Sequence, residues 1–300
     1  MKYNWSIIGH EKQLLQIEKD IASGNLAHAY LLAGPNSVGK NTVAKKMAGI
    51  LQCENDFCHS CNSCIQIEKG CHVDTVVFED DGESIKIETV RKILERLSMT
   101  RQAQYKILLI QGLERMGTEA SNSFLKMLEE PPERTIFLMT TDNIRLILPT
   151  LLSRVRVVQF NSMSQHYLKE KMTELYPGSD AETLETVSIL SMGKTGKAVH
   201  LMEHPESLAE YLKIYHDIQN FLTYRSVVER FSYIEEMAED PKKIETFMNI
   251  LTHVIRSKML ELGQDSEKQT KALSKIDEAA MLLTQNVNKR LVLENLMLQL

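Results

Sequence analysis

The sequence predicts an α/β domain built on a parallel sheet, followed by a small helical unit and an all-helical bundle. Three observations carry this prediction. In residues 1–161 short aliphatic runs alternate with stretches of helical periodicity. A loop of the form G-x-x-x-x-G-K lies between one such run and one such helix. After Phe160 the strand-like runs stop, and residues 162–300 read as helix throughout.

The predicted strands are 29–33, 75–78, 106–111, 135–141 and 155–160, each short and rich in β-branched or aliphatic residues. That composition suits strands covered on both faces. Between them, 42–51 repeats apolar residues at Ala44, Met47, Ala48 and Leu51, and 88–98 does so at Val90, Ile93, Leu94 and Leu97. A further helix starts at Thr118, read as its N-cap, passes through Phe124, Leu125 and Leu128, and stops at Pro131-Pro132. Residues 162–204 form a small helical unit broken at Tyr176-Pro177-Gly178 and at Gly193 and Gly196. Residues 205–300 are amphipathic helix with Leu291, Leu293, Leu296 and Met297 as expected core positions.

Composition excludes several classes. A hydrophobic content of 43% and a charged content of 25% are those of a globular protein. No apolar run reaches the roughly 18 residues of a membrane span, and no hydrophobic signal core follows Trp5, so a cytoplasmic location is expected. The net charge is −5, with 16 acidic and 12 basic residues in 201–300. No basic stripe marks a protein that grips nucleic acid by itself.

The phosphate loop is Gly34-Pro35-Asn36-Ser37-Val38-Gly39-Lys40, followed by Asn41-Thr42. Such loops aim backbone N–H groups and a helix N-terminus at phosphate, with the lysine on the outer phosphates. Two partners are missing. The hydroxyl that ligates Mg²⁺ is replaced by Asn41, and Thr42 comes one residue late, about 100° around the helix. At the end of the 106–111 strand, where an acidic pair is needed, stand Gln111-Gly112, with Glu114 beyond in a turn. Bound ATP or ADP is therefore expected to be weak, and independent hydrolysis lost.

Cys53, Cys58, Cys61 and Cys64 are spaced C-x₄-C-x₂-C-x₂-C, which suits a closed, structural, tetrahedral Zn²⁺ site. An iron–sulfur cluster is the alternative, but the Cys-Pro that continues its signature is absent. Cys71, His59 and His72 are surplus to a four-thiolate site.

These features, in this order, resemble one family. Ile8-Gly9-His10 and Leu26-Ala27-His28-Ala29-Tyr30-Leu31-Leu32 precede the phosphate loop. After the cysteines come Glu114-Arg115-Met116, then Ala120-Ser121-Asn122-Ser123-Phe124-Leu125-Lys126-Met127-Leu128-Glu129-Glu130-Pro131-Pro132. Leu148-Pro149-Thr150-Leu151-Leu152-Ser153-Arg154 follows, and the chain ends with Asn286-Val287-Asn288-Lys289-Arg290-Leu291-Val292-Leu293-Glu294-Asn295-Leu296 near its terminus. The whole is similar to the bacterial clamp-loader AAA+ proteins, above all to the delta-prime class of DNA polymerase III subunit.

The resemblance implies an AAA+ domain at 1–161 with a zinc module at 53–64, a helical lid at 162–204 and an oligomerising collar at 205–300. It implies a heteropentameric ring with three motor subunits and a delta subunit, which opens the sliding clamp and places it on primed DNA. Within that polymerase holoenzyme the subunit has no activity alone. The family's Ser-Arg-Cys motif stands here as Ser153-Arg154-Val155, and the resemblance makes Arg154 an arginine finger acting in trans. The lid's sensor arginine, expected within 193–198, is replaced by Gly196-Lys197, and the first two cysteines are closer than is usual in the family. Two other readings compete: an active clamp-loader ATPase motor, and a stand-alone zinc-containing nucleic-acid binder.

Overall fold

The computed structural model describes residues 2–5, 7–80, 82–222, 226–262, 267–285 and 287–300. Asn286 of the C-terminal motif lies outside them. The chain divides into two compact units, Met1–Gly178 with Gly193–Lys197, and Ser179–Met192 with Ala198–Leu300.

In the first unit the strands are β1 (Ala29–Ala33), β2 (Thr75–Phe78), β3 (Lys106–Ile110), β4 (Thr135–Thr141) and β5 (Arg156–Gln159). Among the described residues they make one five-stranded sheet, parallel throughout, in the order β2-β3-β4-β1-β5. Its helices are α1 (Glu11–Ala22), α2 (Lys40–Gln52), α3 (Asn62–Glu68), α4 (Ile87–Ser98), α5 (Thr118–Glu129), α6 (Pro149–Leu152) and α7 (Gln165–Leu175). This is an α/β P-loop fold of the AAA+ type.

The period of two along a strand explains why the aliphatic runs are continuous. From β1, Tyr30 and Leu32 enter the core made with Leu14 and Ile17 of α1 and Val43, Ala44 and Met47 of α2. Ala29 and Leu31 enter the opposite core, with Val90 and Ile93 of α4 and Phe124 and Leu128 of α5. Phe124 meets Phe137 of β4 edge to face at 5.5 Å. Truncating a ring so placed costs about 3–5 kcal/mol.

Several expected boundaries move. Gln111 lies one residue beyond β3, although its N–H still donates to Phe78 O at 3.0 Å. The last strand is shorter than 155–160, and α2 begins at Lys40 rather than Thr42. Thr118 does not cap α5; it is the first helical residue, and Gly117 holds the N-cap position without a side-chain bond. Gly196 does not break a helix but lies inside α9 (Thr195–Glu203), its N–H donating to Ser37 O at 2.8 Å.

The second unit contains α8 (Ala181–Leu190), α10 (Pro205–Phe221), α11 (Val227–Met237), α12 (Pro241–Leu262), α13 (Glu267–Leu283) and α14 (Lys289–Gln299). α8 and α12 pack on α10, and α14 packs on α11 and α13. Leu293, Leu296 and Met297 are buried there, but Leu291 is 61% exposed, because α14 turns that position away from α11 and α13. No helix among the described residues is long and apolar enough to cross a membrane.

Candidate functional site

The phosphate loop leaves β1 where Gly34 N–H donates to Thr141 O at 3.1 Å. Gly34 has no room for a side chain, since a Cβ there would lie 2.1 Å from Phe160 O. Gly39, at φ +97°, turns the loop into α2 with a backbone that side-chain-bearing residues rarely adopt. The outer carbonyls of the loop are tied to its own unit. Ser37 O accepts from the N–H groups of Gly196 and Lys197, at 2.8 and 3.3 Å. Val38 O accepts from Thr195 Oγ1 at 3.1 Å and from His10 Nε2 at 3.0 Å. A carbonyl only accepts, so Nε2 of His10 carries its proton. Burial lowers the His10 pKa, outweighing the opposite pull of the Val38 bond and of Glu11.

Lys40 is almost wholly buried and points into the loop. Its Nζ donates to Pro35 O at 2.7 Å and to Asp142 Oδ1 at 2.8 Å. Asp142 follows β4, and its backbone N–H donates to Glu114 Oε1 at 2.9 Å. Glu114 sits in a 3₁₀ turn, Leu113–Arg115, and its Oε2 is buried with no hydrogen-bond partner among the described residues. The lysine is thus paired with a carboxylate at the place where phosphate would bind. An incoming phosphate must separate Lys40 from Asp142, which weakens anion binding.

The two residues that replace the metal-binding pair touch each other. Asn41 Nδ2 donates to Gln111 Oε1 at 3.1 Å, and Thr140 Oγ1 donates to Asn41 Oδ1 at 2.8 Å. Both amide oxygens therefore already accept hydrogen bonds, and none of the three groups is anionic. Mg²⁺ needs near-octahedral oxygen ligands, usually with a carboxylate. This set does not fit a Mg²⁺–nucleotide site. Gly112, at φ +67°, holds a backbone that side-chain-bearing residues rarely adopt, and a Cβ there would lie 2.8 Å from Asp80 Oδ2, so a second acid would strain the backbone and displace that carboxylate. Thr42 is exposed on α2 and does not join the network. Asp142 and Thr140 are members of this site that the sequence reading did not find.

The four cysteines converge. Cys53 ends α2, Cys58 lies in the following loop, Cys61 caps α3 and Cys64 opens its first turn. All four Sγ atoms lie within 4.8 Å of one another. Cys53 Sγ is 3.7 Å from that of Cys58 and 3.8 Å from that of Cys61. A tetrahedron with 2.3 Å metal–sulfur arms has edges of about 3.8 Å, so the cluster fits a metal ion such as Zn²⁺. N–H groups already point at the sulfurs, from Asn55 to Cys53, from Cys61 to Cys58 and from Cys64 to Cys61. Such donors stabilise thiolates. The Ser60 hydroxyl and the Ser60 and Cys61 N–H groups lower the Cys58 thiol to about 6, while burial pushes Cys64 up. Cys71 is exposed and outside the cluster, and His59 pairs with Glu68 at 2.5 Å. His72 is buried, with Nδ1 bonded to Thr75 Oγ1.

Arg154 follows α6, close to the surface. Its Nη1 donates to Thr150 O at 2.9 Å and to Ser153 Oγ at 3.1 Å, and its Nη2 donates to Glu129 Oε1 at 2.6 Å. The side chain is 35% exposed. A partly free guanidinium at the surface can reach an anion on another molecule.

Residues 9–164 match the family described as DNA polymerase III, delta subunit. The chain is 30% identical over 207 residues to subunit delta' of DNA polymerase III from Bacillus subtilis, across 66% of this chain and 60% of that one. Subunit gamma from Buchnera aphidicola (Schizaphis graminum) is 28% identical over 92% of this chain and 71% of its own length. Subunit tau from Escherichia coli is 27% identical over 66% of this chain, which spans only 32% of it. Among solved structures, a gamma-subunit-related protein from Thermotoga maritima shares the fold, with 22% identity, a TM-score of 0.56, and coverage of 94% of this chain and 97% of that one.

Proposed function

The chain belongs to the DNA polymerase III delta-subunit family, and we propose that it is a non-motor, delta-prime-type subunit of a bacterial clamp loader. In this reading it joins motor subunits and a delta subunit in a heteropentameric ring in the cytoplasm. The ring loads the sliding clamp onto primed DNA, and this chain supplies Arg154 to the ATP site of a neighbour. Zn²⁺ on Cys53, Cys58, Cys61 and Cys64 is structural. Residues 162–204 act as the lid and 205–300 as the collar that assembles the ring.

One observation carries the reading. The Asn41–Gln111 hydrogen bond joins side chains at positions where a motor would hold Mg²⁺ between a hydroxyl and a carboxylate. Similarity to gamma and tau subunits does not separate motor from non-motor, since those relatives match about as well as subunit delta' does. The chemistry of residues 41, 111 and 112 supports the non-motor role. The Lys40–Asp142 pair supports weak binding of ADP or ATP rather than turnover.

The test uses the isolated full chain with Mg²⁺ and ATP, then the same chain in a reconstituted ring. No turnover alone, and clamp loading that depends on adding the chain, are expected. Mg²⁺-dependent turnover by the isolated chain, abolished by Lys40→Ala, would make it a motor and overturn the reading.

A further inference from the structure

The segment Leu128-Glu129-Glu130-Pro131-Pro132 has so far no task. It ends α5, and the prolines explain why: neither supplies an N–H, and the residue before a proline is pushed out of the helical region. Glu130 accordingly leaves the helix at φ −127°, ψ 69°, and Glu129 is the last helical residue. A carboxylate in the last turn of a helix meets the negative end of the helix dipole, so Glu129 breaks a local preference. Such breaks are expected where a residue serves something other than its own helix.

Among the described residues Glu129 makes one ion pair, and it is with Arg154, 25 residues further along the chain. The neighbouring Glu130, also exposed, has no such contact among the described residues. Arg154 is thereby held from two sides, by Glu129 on Nη2 and by Thr150 O and Ser153 Oγ on Nη1. These bonds engage three of its five donors. Nε–H and one Nη2–H remain available for an anion. Both side chains of the pair are well exposed, at 35% and 48%, so the pair contributes little to stability. What it supplies is orientation, because a long arginine side chain otherwise samples many rotamers.

We infer that Glu129 is a positioning residue for Arg154, setting the guanidinium before a neighbouring subunit presents its nucleotide triphosphate. The inference rests on the reading of Arg154 given above. A finger already oriented loses less freedom when the transition state forms, and small misplacements of such a group are costly in rate.

The experiment uses rings reconstituted with the full chain carrying Glu129→Ala, Glu129→Gln, Arg154→Ala or the Glu129→Ala/Arg154→Ala pair. Steady-state ATP hydrolysis is followed over a range of ATP concentrations in the presence of clamp and primed DNA, so that kcat and KM are separated, and ring assembly and melting temperature are recorded. Glu129→Ala is expected to lower kcat at that interface about tenfold with KM, assembly and melting unchanged. Glu129→Gln, which keeps an acceptor oxygen, retains most of the rate. In the Arg154→Ala background, Glu129→Ala has no further effect. If Arg154→Ala slows hydrolysis and Glu129→Ala does not, or if Glu129→Ala slows it equally without Arg154, the positioning role fails alone. If Arg154→Ala is itself without effect, the finger reading fails and this inference with it.

Discussion

Asn41 Nδ2 donates to Gln111 Oε1 at 3.1 Å, joining the start of α2 to the residue just beyond β3. Two departures that look independent in the sequence are one feature in space. Asn41 satisfies the Gln111 amide oxygen, and Thr140 satisfies that of Asn41. A metal between two such amides would have to break a bond they already share, without a charge to compensate.

Restoring a hydroxyl and a carboxylate together, with Asn41→Thr and Gln111→Asp, should therefore increase Mg²⁺-dependent nucleotide affinity by about tenfold, or ~1.4 kcal/mol. Either change alone should give less, because it leaves the other partner unmatched. Turnover should stay absent, since Gly112 still supplies no second acid. Titration of a fluorescent ADP analogue with and without Mg²⁺ reads the first effect, and phosphate release reads the second.

The Lys40–Asp142 pair makes a separate prediction about anions. Replacing Asp142 with Asn removes the internal competitor for Lys40 Nζ while keeping its size. Affinity for ADP should rise about tenfold, an effect that shrinks as salt is added. Lys40→Ala should abolish binding. Unchanged affinity in Asp142→Asn would mean that this ion pair does not limit the site.

The strands were legible in the sequence for a simple reason. A strand covered on both faces reads as an unbroken aliphatic run, so Leu31 and Leu32 serve opposite cores yet look alike. The cysteine cluster was legible because its ligands are close along the chain. What the sequence hides is contact at long range. Gly196 looks like a helix breaker because its partner, Ser37 O, lies 159 positions earlier. Asp142 and Thr140 follow from strand order, as only a β4 beside β1 brings them to Lys40 and Asn41. Leu291 misled because α14 is rich in leucine on several sides, so periodicity could not say which of them faces α11 and α13.

Metal removal should act on stability rather than on chemistry. The purified chain should carry one Zn²⁺, and stripping it should lower the melting temperature by about 10 °C, the consequence of losing ~3 kcal/mol. Cys58→Ser should behave like the stripped protein, and Cys71→Ser like the wild type. Metal analysis beside calorimetry decides it; a coloured iron-containing chain would replace zinc by an iron–sulfur cluster.

His10 ties the phosphate loop to the start of α1 and sets a pH dependence. Burial lowers its pKa in the folded state, so below the ordinary value of 6.5 the unfolded chain binds more protons than the folded one. Its contribution is present at higher pH and is lost as pH falls below about 6.5. Urea denaturation from pH 7.5 down to 5 should show a shallower fall in His10→Gln than in the wild type. Equal slopes would assign the dependence to other histidines.

The central claim is that the chain's working residue acts outside its own phosphate loop, and one comparison within a reconstituted ring tests it. Single-turnover ATP hydrolysis at the interface with the neighbouring motor should survive Lys40→Ala nearly unchanged and fall by about 10³-fold in Arg154→Ala. Loss of that hydrolysis with Lys40→Ala and its persistence with Arg154→Ala would contradict the account.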